Sequence, residues 1–124
     1  MSFTPLPAAI GFNIDGGVSA ITTGTKIYFK VPFDISINSW ELAADQSGSI
    51  VIDIWKDTYA NFPPTVGDTM TGSEKPTLSN QQTNRDTNLT TWNTSVASGD
   101  YLVLHVDSAT SVIKVNLLLG GRRF

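Results

Sequence analysis

The sequence predicts an all-β fold, an antiparallel two-sheet sandwich with the jelly roll as its topology. Three observations predict it. Apolar residues recur with period two in several separate stretches, the signature of half-buried strands. Polarity comes from hydroxyls and amides, because Ser and Thr together outnumber the charged residues, which make up only 15% of the chain; such side chains suit strands and turns better than helix interiors. No apolar stripe of helical period runs long enough to compete.

The first clear strand is Ile27, Phe29, Val31 and Phe33, with Lys26, Tyr28 and Lys30 facing the other way. Ile35 and Ile37 continue the alternation, but Trp40, Leu42 and Ala44 resume it one residue out of phase. A bulge near Asn38-Ser39 reconciles the two halves. Gln46-Ser47-Gly48 reads as a turn into a strand carrying Ile50, Ile52 and Ile54, so these two strands are expected to form a hairpin. Towards the C-terminus, Leu102, Leu104 and Val106 form one alternating set and Ile113, Val115, Leu117 and Leu119 another, with Asp107 to Thr110 as the turn between them. Shorter strands are expected at Ile10 to Ile14, Val18 to Thr23 and Trp92 to Val96, each bounded by Gly, Asp or Ser. The expected core is Ile27, Phe29, Ile50, Ile52, Ile54, Leu102, Leu104, Ile113, Val115 and Leu117, with Trp40 and Trp92 filling volume beside it. Val103 and Leu118 face outward and form either exposed apolar surface or a second buried face.

The stretch Lys56 to Thr91 breaks the pattern. It is polar, with isolated apolar residues at Tyr59, Phe62, Val66, Met70, Leu78 and Leu89, and it is longer than an ordinary connection. Spaced aromatics imply a segment pinned over one edge of the sandwich, and Ser79-Asn80-Gln81-Gln82 has the spacing of a helix-capping box.

At 124 residues the chain is the size of one domain, read as residues 1–124 with a short N-terminal arm (1–9) and a C-terminal tail (120–124). A net charge of −3 offers no basic field, so nucleic acid is not an expected partner. The chain has no cysteine, hence no disulfide framework, thiolate zinc site or cysteine nucleophile. The start of the chain lacks a secretory-signal pattern, and no stretch has the apolar length of a membrane helix, so the protein reads as soluble and made in a cytoplasm, with no membrane partner.

Candidate chemistry is sparse. The single histidine, His105, falls beside Asp107 on one strand face and reads as a surface or interface residue, since no serine has a nucleophile-elbow context. Oxygen-only calcium sites could be built from Asp53 and Asp57, or from Asp15 beside Gly16-Gly17, but the dense acidic loop of an EF-hand is missing. No cofactor, metal or catalytic residue is therefore expected, and the chain is not read as an enzyme. Binding candidates remain. Phe3, Pro5, Leu6, Arg122, Arg123 and Phe124 place apolar, proline and guanidinium groups at the two chain ends, a combination suited to an interface. Trp55, Tyr59 and Phe62 are the aromatics best placed to stack on a sugar ring.

The run Leu42 to Thr65 (LAADQSGSIVIDIWKDTYANFPPT) resembles a domain that recurs in structural proteins of tailed bacteriophages and prophages. Ile14-Asp15-Gly16-Gly17, Ser19 to Gly24, Val31-Pro32-Phe33, Lys75 to Ser79 and Val106-Asp107-Ser108 resemble it too, so the similarity spans roughly residues 14–119. The resemblance implies a β-sandwich module of tail, fibre, baseplate or capsid-decoration proteins, located in the virion and without enzymatic motifs. It further implies a capsid decoration, or cement, protein that binds the major capsid protein and assembles as a homotrimer. The alternative it leaves open is a tail-fibre or baseplate adhesin tip binding host-surface carbohydrate.

Overall fold

Alternating Ile10, Phe12 and Ile14 build the first strand in the computed structural model, which describes residues 6–124. Along the chain the strands are β1 (Leu6–Asp15), β2 (Lys26–Lys30), β3 (Ile35–Asp57), β4 (Thr77–Asp86), β5 (Ser95–Val96), β6 (Tyr101–Thr110) and β7 (Lys114–Arg123). The only helical pieces among the described residues are 3-10 turns at Tyr59–Asn61 and Val66–Asp68.

All seven strands belong to one antiparallel sheet, ordered β1-β7-β3-β6-β2 with β4 and β5 also on β3, and it curls into a half-barrel. The expected division into two sheets is not seen among the described residues, because β3 is a single 23-residue strand that runs through both halves of the curl. Its first half pairs with β7, from Ile35 opposite Arg123 to Ala44 opposite Val115. Its second half pairs with β6, from Ser49 opposite Thr110 to Asp57 opposite Tyr101. Strands β6 and β7 therefore follow β3 end to end as a bent ribbon: the two expected hairpin strands around Gln46-Ser47-Gly48 are one strand, and the turn expected at Asp107 to Thr110 is instead the end of β6.

The corner of that ribbon lies where a turn was expected. Gln46-Ser47-Gly48 does not reverse the chain; it bends β3 while the strand continues. Gly48 is needed there for closeness: a Cβ would sit 2.6 Å from the Thr110 carbonyl oxygen and 2.8 Å from Val112 Cγ1. Asp45 holds the opposite side of the bend, its carboxylate accepting the backbone N–H groups of Ile113 (3.1 Å) and Lys114 (3.0 Å). The Gln46 side-chain amide donates to the Ser111 carbonyl. The second expected irregularity is observed as such, since the β3–β7 register shifts between Ile37 and Ser39 and leaves Asn38 as the extra residue.

The concave face of the curl is the core. It collects Ile10, Phe12 and Ile14 from β1, Ile50, Ile52 and Ile54 from β3, Leu102, Leu104 and Val106 from β6, and Val115, Leu117 and Leu119 from β7. Phe12 and Phe29 meet edge to face at 5.3 Å, joining the two ends of the sheet across the core. Ile27 and Phe29 are only partly buried and pack against the cluster. Ile113 is not a core residue: β7 starts at Lys114, and its neighbour Val112 takes the interior position. Trp40 and Trp92 are buried as expected.

Two further expectations are corrected. Val18 to Thr23 is not a strand, and only Ser95–Val96 of the stretch Trp92 to Val96 is. The capping-box spacing at Ser79 lies in strand β4, where pairing with β3 outweighs the local signal; Asn80 (φ 50°) accommodates the shift in register there. The arm and tail boundaries also change. From Leu6 to Ala9 the chain is already paired with Gly120 to Arg123, so these residues are sheet and not extensions of it.

Candidate contact surface

Strand β2 is one edge of the sheet, and its outward alternation presents Lys26, Tyr28 and Lys30 to solvent. Beside it, Tyr101 of β6 lies opposite Lys30. The connection between β3 and β4 brings two more rings to this edge. Asp57 starts it, its carboxylate accepting the Thr58 N–H (2.7 Å) and the Asn61 side-chain amide (3.2 Å), which tightens the chain into the turn carrying Tyr59. The same two donors, Thr58 first, hold the Asp57 carboxyl below its ordinary value.

The result is a contiguous aromatic patch. Phe62 meets Tyr101 edge on at 4.8 Å and Tyr28 at 5.7 Å, while Tyr59 lies 6.4 Å from Tyr101 and the Lys30 ammonium 5.9 Å from the Tyr59 ring. Tyr59 is 73% exposed, Tyr28 50% and Phe62 47%, so the rings pack laterally and leave their outer surfaces in water. Scattered surface aromatics are ordinary, whereas contiguous clusters of them are enriched at contact sites.

Trp55 is not part of it. It lies on the convex face with 6% of its surface exposed, stacked on His105 at 4.7 Å and 17°, with Lys26 Nζ 5.5 Å from its ring. A glycan-contact role for Trp55 is therefore corrected: His105 and Lys26 close over its ring, and the connection runs beside it through the Thr69 bridge. Met70 ties the connection alongside β3, donating its N–H to Ile54 (2.9 Å) and accepting from Asn93 (2.8 Å), and its side chain joins the core.

Where this segment runs beside β3 lies a polar network centred on Asp53, which is 2% exposed. Its carboxylate accepts the Ile54 N–H (2.9 Å), Trp55 Nε1–H (3.0 Å) and the hydroxyls of Thr69 (2.6 Å) and Thr71 (2.9 Å). Lys75 Nζ stands 3.8 Å from Asp53 and 2.6 Å from Asp107, whose other oxygen is 2.7 Å from His105 Nδ1. Burial pushes the Asp107 carboxyl up, but hydrogen bonds from Lys75 and His105 outweigh it and hold the group below its ordinary value. The bond to Asp107 in turn raises the Lys75 ammonium above its own.

This network explains the histidine and the aspartates in structural terms. His105 and Asp107 are joined, as their strand alternation predicts, and they help to tie the connection to the sheet. Asp53 and Asp57 spend their oxygens on protein donors, and Asp15 accepts the Gly17 N–H at 2.7 Å. Among the described residues no three acidic, histidine or cysteine side chains gather as a metal site.

At the other end of the sheet, Leu6 and Phe124 are exposed, Arg122 and Arg123 stand beside them, and the Arg123 guanidinium lies 5.4 Å from the Phe33 ring. Phe3 and Pro5 lie outside the described residues. Sequence reasoning named Tyr59 and Phe62 but missed Tyr28 and Tyr101. Their outward alternation was visible; only tertiary pairing puts them beside the connection.

The sequence matches no protein-family profile and no curated protein. Among solved structures it is similar to a chain of the Nora virus structure, at 9% identity and a TM-score of 0.39, covering 99% of this chain and 60% of that one. A chain from infectious bursal disease virus, Gx strain, is similar at 15% identity and a TM-score of 0.29, with 99% of this chain and 38% of that one covered. In both cases the chain spans less than two thirds of the structure it is similar to. Likenesses this slight decide neither its fold nor its role.

Proposed function

We propose that the chain is a non-catalytic structural protein of a bacteriophage virion, a capsid decoration protein that attaches to the major capsid protein. The exposed patch of Tyr28, Tyr59, Phe62 and Tyr101 is the observation that carries an attachment role, since clustered aromatics flanked by cations make strong anchors at protein interfaces. The sequence resemblance supplies the virion setting. The chain-end group of Leu6, Arg122, Arg123 and Phe124 is a second contact, held rigid because all but Phe124 belong to paired strands.

A second reading is favoured by the same patch. Exposed tyrosine and phenylalanine rings can stack on sugars, which supports a tail-fibre or baseplate tip that binds host carbohydrate through Tyr59 and Phe62. Copy number separates the two. Quantitative mass spectrometry of purified particles is expected to find hundreds of copies for decoration and a handful for a tail tip. Replacing Tyr59 and Phe62 together by Ala is expected to lower particle occupancy at least tenfold with an unchanged melting temperature. Absence of the protein from particles would overturn the virion reading.

A further inference from the structure

Strands β1 and β2, which end the β1-β7-β3-β6-β2 path through the sheet, are built differently. Strand β2 is five residues long and carries Lys26 and Lys30 on its outward face, the kind of short, lysine-bearing edge that resists pairing with another chain. Strand β1 is ten residues long and has no charged side chain from Leu6 to Ile14. Among the described residues it is paired on one side only, with β7. Its exposed side chains are small or uncharged: Pro7, Ala9, Gly11 and Asn13, ending in Asp15. An edge of this length without a charge is a template for another strand.

We propose that β1 pairs antiparallel with β1 of a second copy of this chain, on a two-fold axis at Gly11. The inference does not depend on the virion reading. Register follows from alternation. Residues directly opposite in an antiparallel pair share a face, so the core residues Ile10, Phe12 and Ile14 stay on one side only if even positions face even ones. That requires an axis on a residue, and Ile10 and Gly11 are the two at the middle of the ten-residue strand, where the most pairs form. Charge chooses between them. With the axis at Gly11, Asp15 falls opposite Pro7 of the second copy, and Pro7 is itself paired with Arg122. Opposite charges then lie on one face about 10 Å apart, two strand spacings, at both ends of the interface. An axis at Ile10 carries Asp15 past Leu6 and loses this match. At the axis glycine faces glycine, and Leu118, 37% exposed and close to the Gly11 position, covers the gap from each side. The unit in solution is then a dimer, in place of the trimer that the resemblance implies.

Sedimentation equilibrium of the full chain tests this directly. A dimer is expected for the wild type, and Gly11→Lys is expected to raise the dimer dissociation constant at least tenfold with an unchanged circular dichroism spectrum, since a Cβ at Gly11 meets only Leu118 Cδ1 at 3.7 Å. The absence of native cysteine makes a second measurement clean. Gly11→Cys is expected to form a disulfide-linked dimer under mild oxidation, whereas Lys30→Cys on the opposite edge is expected not to. A wild-type monomer or trimer at high concentration would overturn the proposal. So would a dimer that tolerates Gly11→Lys, or one whose Gly11→Cys chains fail to cross-link.

Discussion

The two halves of the curled sheet share a core but differ on their convex faces. Where β7 meets the first part of β3, alternation is clean: Val115, Leu117 and Leu119 are buried, while Lys114, Asn116 and Leu118 face water. Where β6 meets the second part of β3, alternation fails, and Ile52 to Trp55 and Leu102 to Leu104 are buried without a break. Residues of the β3–β4 connection reach this second face, Phe62 against Tyr28 and Tyr101 and the Thr69 and Thr71 hydroxyls against Asp53, and among the described residues Lys114, Asn116 and Leu118 of the first stay exposed. Strand alternation therefore reports one covered face, and its loss reports two.

The largest expected effect comes from breaking the covered half at its buried charge. Asp53→Ala leaves Trp55 Nε1, the Ile54 N–H and two threonine hydroxyls without their acceptor, and Lys75 loses one of its two carboxylates. A loss of about 3 to 5 kcal/mol in urea denaturation is expected. Retention of wild-type stability would show that the network does not hold the connection in place.

A smaller effect sharpens the contrast between faces. Val103 and Leu118 occupy equivalent outward positions, but Val103 is fully buried, flanked by Tyr28 and Tyr101 with Phe62 packed on both, and Leu118 is 37% exposed. Val103→Ala is expected to cost about 2 kcal/mol and Leu118→Ala less than about 0.5 kcal/mol when measured on the monomer. Equal costs would mean that the connection contributes no packing.

The smallest effect is in pH dependence, where the halves also separate. Asp107 is held below its ordinary 3.8, so its stabilisation is present above that value and is lost as pH falls through the lowered one. Lys75 is raised above 10.5, so its contribution is complete below that pH and disappears as pH rises through the folded value. Lys75→Met is thus expected to flatten the stability profile at both extremes. Asp45, at the corner, is lowered chiefly by the Lys114 N–H; loss of hydration opposes this, and the Ile113 N–H adds to the lowering. Asp45→Asn is therefore expected to flatten the acid side alone. Melting temperatures recorded across the pH range check both variants, and an alkaline change in Asp45→Asn would contradict the assignment.

Of the candidate site, the sequence marked Tyr59 and Phe62 by their isolation in a polar stretch and put Tyr28 and Tyr101 on outward strand faces. It could not join them. Nor could it show that Trp55, correctly placed opposite Ile50, Ile52 and Ile54, is closed in by His105 and Lys26, which are distant from it in the chain. The chain ends show the same limit from the other direction: prolines at positions 5 and 7 read as an extended arm, yet Leu6 onward pairs with β7, because proline is tolerated on a sheet edge.

By itself the sequence determined the all-β class, the strand cores and the bulge at Asn38, because each of these is written in a local period of two or in a slip of its phase. It left three things open. Gln46-Ser47-Gly48 serves a turn or a bend equally well, and only the close approach of Thr110 and Val112 makes it a bend. The polar stretch Thr77 to Asp86 becomes a strand because backbone groups of β3 are there to receive it, and backbone pairing leaves little trace in side chains. The burial of Trp55 and Val103 depends on contacts between residues far apart in the chain, and it is those contacts that decide which outward face meets water.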